Sequence, residues 1–268
     1  MAAEARIAVI GGSGLYRFLD ATETLALSTP HGDPSGPITI AAVGGEGVAF
    51  LPRHGTQHTI PPHAINYRAN LLALHSLGVQ RVIAPAAVGS LRPQMAPGHV
   101  VICDQFIDRT WGRVSTFYDG PVVAHVSVAD PYCEELRPLA VVAGVAAGFT
   151  VHERGTVLVT QGPRFGTRAE ARFHRDIGAD VLNMTQYPEV ALARELGMCY
   201  VNLSLVTDYD AGIDAAPGVA PVSQEAVLRV FGENVERLRA ALVRLIETIP
   251  QQRACRCGER GAQPMRPA

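Results

Sequence analysis

Residues 178–210 read GADVLNMTQYPEVALARELGMCYVNLSLVTDYD. Apolar runs at 181–184 and 200–206 have the character of buried strands, and the stretch between them has helical spacing over 189–196, with Pro188 where a first-turn proline opens a helix. A strand, a helix and a strand in succession is the unit from which α/β sheets are built. Each strand ends on polar residues: Asn183-Met184-Thr185 after the first, Thr207-Asp208-Tyr209-Asp210 after the second. Ligands of open α/β sheets bind at strand ends. In an extended segment Asp208 and Asp210 point to the same side and can act on one object. Two such carboxylates, one ionised and one protonated, suit a nitrogen heterocycle with an amino group and a basic ring nitrogen. An Asx-type turn at the aspartates and a core methionine beside a helix cap are the plainer readings. A glycosidase pair lacks an aromatic sugar platform around it.

Outward from this unit the alternation continues. Further strands are expected at 7–10, 38–43, 48–51, 81–86, 99–103 and 156–159, and helices at 66–77 and 133–147, the latter apolar nearly all round and therefore expected to be buried. Thr167 and Glu170 form a capping box before an Arg- and Ala-rich helix. A last helix over 223–246 carries Val227, Val230, Phe231, Val235, Leu238, Leu242 and Leu245 on one face. The chain reads as one α/β domain, residues 1–250, with a central sheet and flanking helices. The polar tail 251–268 is expected to be disordered.

Composition narrows the function. The 268 residues are 47% hydrophobic with a net charge of −2, so no positive field binds nucleic acid or an anionic membrane. All 23 basic residues are Arg, which excludes a Schiff-base lysine and the lysine-bearing phosphate loop. No apolar run reaches the roughly 18 residues of a membrane span and the start lacks a secretory pattern, so a cytoplasmic protein is expected. Cys103, Cys133, Cys199, Cys255 and Cys257 are scattered and read as reduced thiols; Cys255-Arg-Cys257 lacks a second pair in sequence, and no metal is expected there.

Phosphate, if bound, must be held by Arg, His, hydroxyls and backbone N–H groups. Gly11-Gly12-Ser13-Gly14 after the first strand can bring N–H groups and a hydroxyl to an anion, although it lacks the third glycine of a dinucleotide fingerprint. Arg53-His54-Gly55, with His58 and His63 nearby, offers a guanidinium fork and an adjacent imidazole donor. The prolines around these histidines prevent the helix that would align them on a metal.

In order, IGGSGLY, LPRHGTQHTIPPHAINYRANLLAL, AVGSL, DQFIDRT, QGPRFGTRAE, GADVLNMTQYPEVALARELGMCY and LVTDYD resemble the 5'-methylthioadenosine phosphorylases of the trimeric purine nucleoside phosphorylase superfamily, from Ile7 to about Gln251. The resemblance implies a central mixed sheet and phosphorolysis of an N-glycosidic bond to adenine and a 5-substituted ribose 1-phosphate, with no metal or organic cofactor. It assigns phosphate to Ser13, Arg53, His54, Thr185 and the Ala87 backbone, the ribose to Met184, the base to Phe165, purine N7 to Asp208 and the exocyclic amine to Asp210. It places Gln224 and Val227 at the 5' pocket and implies a homotrimer in which His125 reaches that pocket from a neighbouring subunit. Asp208 in place of asparagine favours a 6-aminopurine. Ala86 and Gln224 depart from the family's threonine and apolar residue, which leaves another 5'-substituted deoxyadenosine, a 5'-halo one for example, or adenosine as the alternative substrate. From other classes, a dehydrogenase and a non-catalytic nucleoside-binding protein remain as competing readings.

Overall fold

The computed structural model describes residues 5–11, 23–211 and 222–263. In chain order the strands are β1 (Ile7–Gly11), β2 (Glu23–Leu25), β3 (Ile38–Val43), β4 (Glu46–Pro52), β5 (Arg81–Ile83), β6 (Ala86–Ser90), β7 (Val100–Val101), β8 (Gln105–Arg109), β9 (Val151–His152), β10 (Thr156–Thr160), β11 (Val181–Asn183), β12 (Cys199–Val201) and β13 (Ser204–Asp208). The α-helices are α1 (Tyr67–Ser76), α2 (Leu136–Ala146), α3 (Arg168–Asp176), α4 (Gln186–Glu195) and α5 (Gln224–Thr248).

The α/β class holds, but the expected single central sheet is two mixed sheets, ordered β12-β5-β1-β4-β3-β2 and β8-β10-β11-β6-β13-β7-β9. Two of the expected strands divide to make them. The run 81–86 breaks at Ala84-Pro85, because proline supplies no N–H to a ladder. The run 200–206 breaks at Asn202-Leu203. The breaks lie side by side: Ala84 N–H donates to the Val201 carbonyl at 2.9 Å and Ala86 N–H to the Leu203 carbonyl at 3.1 Å. Paired strands therefore pass together from one sheet into the other. Asp208 lies at the far end of this crossing, and Arg53 follows β4 in the first sheet.

The helices bury their apolar stripes on the sheets. Leu238, Leu242, Leu245 and Ile246 of α5 are at most 1% exposed and join Leu136 and Ala140 of α2 in one core cluster. The second large cluster gathers α1 and α4 residues, among them Leu71, Leu74, Val190 and Leu192. Helix α2 is only half the buried helix expected: Val142 and Val145 are each 58% exposed, since a helix lying on a sheet turns one side outward. Asn66 caps α1 by accepting from Ala69 N–H, and the Thr167–Glu170 capping box forms as expected.

The tail differs from expectation up to residue 263. Arg253 donates to the Gly197 carbonyl at 2.9 Å, Ala262 N–H to the Glu195 carbonyl at 2.9 Å, and Cys257 is buried. The segment is polar, but it closes over the turn between α4 and β12. None of the described helices is long and apolar enough to cross a membrane.

Candidate active site

A cavity of about 850 Å³ opens where the strand ends meet. It gathers Arg53, His54, Ala87, Phe165, Met184, Thr185, Asp208, Asp210, Gln224 and Val227, all of them expected from sequence. Ser13 lies outside the described residues. Gly11, the last residue of β1, accepts from Arg53 N–H at 2.9 Å. His125 is exposed and does not line the cavity of its own chain.

At one end, Arg53 is 1% exposed and its fork is already engaged. Nε and Nη2 donate to the two Glu189 oxygens at 2.8 and 2.9 Å, and Nη1 donates to the Pro85 carbonyl at 3.2 Å. The arginine expected to offer its guanidinium fork to phosphate thus gives part of that fork, and its charge, to Glu189 of α4. Tyr200 adds a hydroxyl donor to Glu189 at 2.7 Å. The remaining guanidinium hydrogens are what Arg53 can offer a ligand.

His54 also differs from the donor expected. Its Nδ1 lies 2.9 Å from the Ile60 carbonyl, which places the proton on Nδ1 and leaves Nε2 as an acceptor. Burial, then the Arg53 charge, lowers its pKa to about 4, so the ring is neutral near pH 7. Asn183 organises the third part: its Oδ1 accepts from Thr185 N–H at 2.6 Å, Gln186 N–H at 2.7 Å and the Thr185 hydroxyl at 3.2 Å. An Asx cap thereby fixes the Met184-Thr185 corner.

That corner is also held by a residue the motifs did not indicate. Arg113 donates to the carbonyls of Met184 at 2.9 Å, Tyr187 at 2.7 Å and Gln161 at 2.8 Å. A lone Arg in a polar loop gives no sequence signal of such a clamp. Gly162 faces Met184 so closely that a Cβ there would stand 2.6 Å from Sδ, and its φ of +61° suits glycine.

At the other end the aspartates meet through a turn, not through strand alternation. A register shift interrupts β13 before Asp208, and Asp210 sits at φ +46°. Asp208 Oδ1 accepts from Asp210 N–H at 2.7 Å, and Oδ2 accepts from the Thr207 hydroxyl at 2.8 Å. The plain Asx turn is present, and it is what brings the carboxylates together. Asp210 Oδ2 is buried without a hydrogen-bond partner among the described residues. Burial, reinforced by the charges of Asp208 and Glu170, raises the Asp210 pKa to about 6. Burial also raises that of Asp208, against its two hydrogen bonds. Gly89 permits the arrangement: a Cβ there would lie 2.9 Å from Asp208 Oδ1 and 3.3 Å from Asp210 Cβ. Phe165 stands at the rim, 39% exposed.

The chain is similar to known proteins over most of its length. Residues 6–247 match the phosphorylase superfamily. The S-methyl-5'-thioadenosine phosphorylase of Thermofilum pendens is 52% identical over 254 residues, 94% of this chain and 95% of that protein. The purine nucleoside phosphorylase of Streptomyces coelicolor is 50% identical over 265 residues, 95% and 94% of the two chains. Among solved structures, methylthioadenosine phosphorylase from Schistosoma mansoni in complex with adenine superposes with a TM-score of 0.86 at 34% identity, covering 91% of each chain. With a family match over nearly all of its length and relatives at half identity, this chain belongs to the phosphorylase superfamily.

Proposed function

We propose that the protein phosphorolyses S-methyl-5'-thioadenosine, giving adenine and 5-methylthioribose 1-phosphate. The observation that carries this reading is the content of one cavity: its lining joins Arg53 and its donors, a carboxyl of Asp210 with a pKa of about 6, and Met184. Phosphate held by Arg53, His54, Thr185 and Ser13 attacks C1' as the glycosidic bond stretches through an oxocarbenium-like state, and a proton reaches purine N7 as adenine leaves. Neutral His54 offers Nε2 as an acceptor, which suits a phosphate that still carries a P–OH hydrogen.

The family resemblance gives N7 to Asp208 and the amine to Asp210. The hydrogen bonds favour Asp210 as the group that holds the proton, because Asp208 already accepts from Thr207 and from the Asp210 N–H. Near neutral pH an acid with a pKa of about 6 keeps a transferable fraction of its proton.

For the 5' position the relatives' names divide between methylthioadenosine and purine nucleosides at nearly equal identity. Gln224, exposed at the first turn of α5 and lining the cavity with Val227 and Leu228, favours a second reading in which adenosine is also taken. The assembly we propose is a homotrimer, with His125 of a neighbouring subunit completing the 5' pocket. The deciding experiment follows adenine release from a panel of 5'-substituted adenosines with and without phosphate. Release that requires phosphate and is fastest with methylthioadenosine supports the proposal; phosphate-independent release, or none, overturns it. Light scattering that gives a monomer at assay concentration removes the shared pocket.

A further inference from the structure

Four of the five cysteines meet at a place that shares no residue with the cavity lining. Cys133 precedes α2, Cys199 opens β12, and Cys255 and Cys257 arrive on the C-terminal segment. Their four sulfurs all lie within 4.8 Å of one another, and Cys199 Sγ stands 3.3 Å from Cys255 Sγ. A tetrahedral zinc thiolate site, with bonds of about 2.3 Å, has sulfur-to-sulfur edges of about 3.8 Å, in the middle of that range. A disulfide brings its sulfurs to about 2 Å; here all four are free thiols. The second pair that Cys255-x-Cys257 lacks in the sequence is supplied by the fold.

We propose that Cys133, Cys199, Cys255 and Cys257 form a tetrahedral four-thiolate site for a structural zinc-class divalent cation, which clips the C-terminal segment to the body of the protein.

The surroundings suit a net anion. Four thiolates around a dication carry two negative charges in excess, and binding releases the thiol protons. Arg194 is 3% exposed; its Nη2 donates to the Asp130 carbonyl, while Nε and Nη1 have no hydrogen-bond partner among the described residues. A buried guanidinium with two idle donor atoms is costly unless negative charge compensates it. The turn that carries the tail cysteines is held from the body: both Glu135 oxygens accept, from the N–H groups of Ala254 and Cys255, each at 3.3 Å. Cys133 N–H donates to the Tyr200 carbonyl at 2.9 Å, so the two body cysteines are fixed to adjacent segments before any ion binds. The ligands are thus preorganised from three parts of the chain. The next residue, Tyr200, donates to Glu189, so the clip braces the strand behind the Arg53 pair and acts on stability, not on the bond being broken.

The test uses the full chain, stripped with a chelator and fully reduced, then titrated with cobalt(II) and with zinc. The proposal expects about one cobalt per chain with the strong charge-transfer and visible bands of a tetrahedral thiolate complex, displaced by zinc. It also expects a thermal midpoint that rises with zinc. Cys103→Ser should keep this behaviour, and the double variant Cys255→Ser with Cys257→Ser should lose it. Failure of the reduced wild-type chain to take up cobalt overturns the proposal even if the double variant does not fold. So does uptake unchanged by the double substitution. Freshly isolated protein without metal and with a single free thiol, meaning two disulfides in the cluster, also overturns it. None of these readings depends on enzymatic activity, so they stand or fall separately from the proposed reaction.

Discussion

At the Arg53 end of the cavity Arg53 and Glu189 balance each other, whereas at the Asp210 end a buried carboxylate oxygen has no hydrogen-bond partner among the described residues. Arg53 and Glu189 form a bidentate pair at 1% and 0% side-chain exposure, and the neutral His54 is tied to a carbonyl. Arg53 and His54 are thus already fixed by their own partners, which is what holding a reactant in place requires. Asp210 stays under electrostatic load instead, and the load keeps a proton on a carboxyl group at a pH where carboxylates are ordinarily ionised. In the proposed reaction one end positions the phosphate and the other exchanges a proton with the base.

The contrast can be broken most severely at the paired end. Arg53→Ala leaves Glu189 buried and unpaired, and should lower unfolding free energy by about 3 to 5 kcal/mol, read from the denaturant midpoint. The sequence alone would have cast this variant as a clean test of phosphate affinity. If the midpoint does not move, the pair is not what holds this end together.

Asp210→Asn should act the other way round, leaving the fold intact while lowering kcat/KM for adenine nucleosides by about 100-fold or more. In the wild type, activity at saturating phosphate should fall as pH rises above about 6, and the asparagine variant should lose that limb. Should Asp208→Asn remove the limb while Asp210→Asn keeps it, the proton belongs to Asp208.

The same two ends should give stability opposite slopes with pH. Asp210 has a native pKa of about 6, above its unfolded value near 3.8, so the native state binds the proton more tightly. This group therefore subtracts stability as pH rises from about 4 to 6, by about 3 kcal/mol in all. His54 has a native pKa of about 4, below its unfolded 6.5, so it adds stability as pH rises over nearly the same window. Unfolding curves across this range should steepen upward with pH in Asp210→Asn and downward in His54→Gln. Two variants with parallel profiles would show that the ends are not electrostatically distinct.

A smaller effect separates geometry from charge. Gly89→Ala drives a methyl group against Asp208 Oδ1 and should lower kcat/KM about tenfold, by displacing the aspartates without removing either. Unchanged kinetics would mean the pair tolerates the shift. The smallest change expected is at the rim, where Gln224→Val should leave methylthioadenosine turnover intact or improved and weaken adenosine by about 1 kcal/mol, roughly fivefold. Equal losses on both substrates would make Gln224 a structural residue of α5.

Periodicity and end signals were enough to locate β1, β3, α1, the Thr167–Glu170 cap and α5, because each depends on neighbours within a few residues. The motif residues Arg53, His54, Met184, Thr185, Asp208 and Asp210 were legible for a related reason: each lies at a strand end or within two residues beyond it, and strand ends are where such folds expose chemistry. What the sequence could not decide was which distant group meets which. Glu189 opposite Arg53, Arg113 across three carbonyls, and Cys133 and Cys199 beside the tail are contacts over tens of residues. Only the tertiary arrangement of the sheets, helices and tail brings those segments together. The charge state of a buried group is therefore a property of the tertiary fold: burial and the partners it selects, not residue type, made Arg53 a balanced ion and raised the Asp210 pKa to about 6.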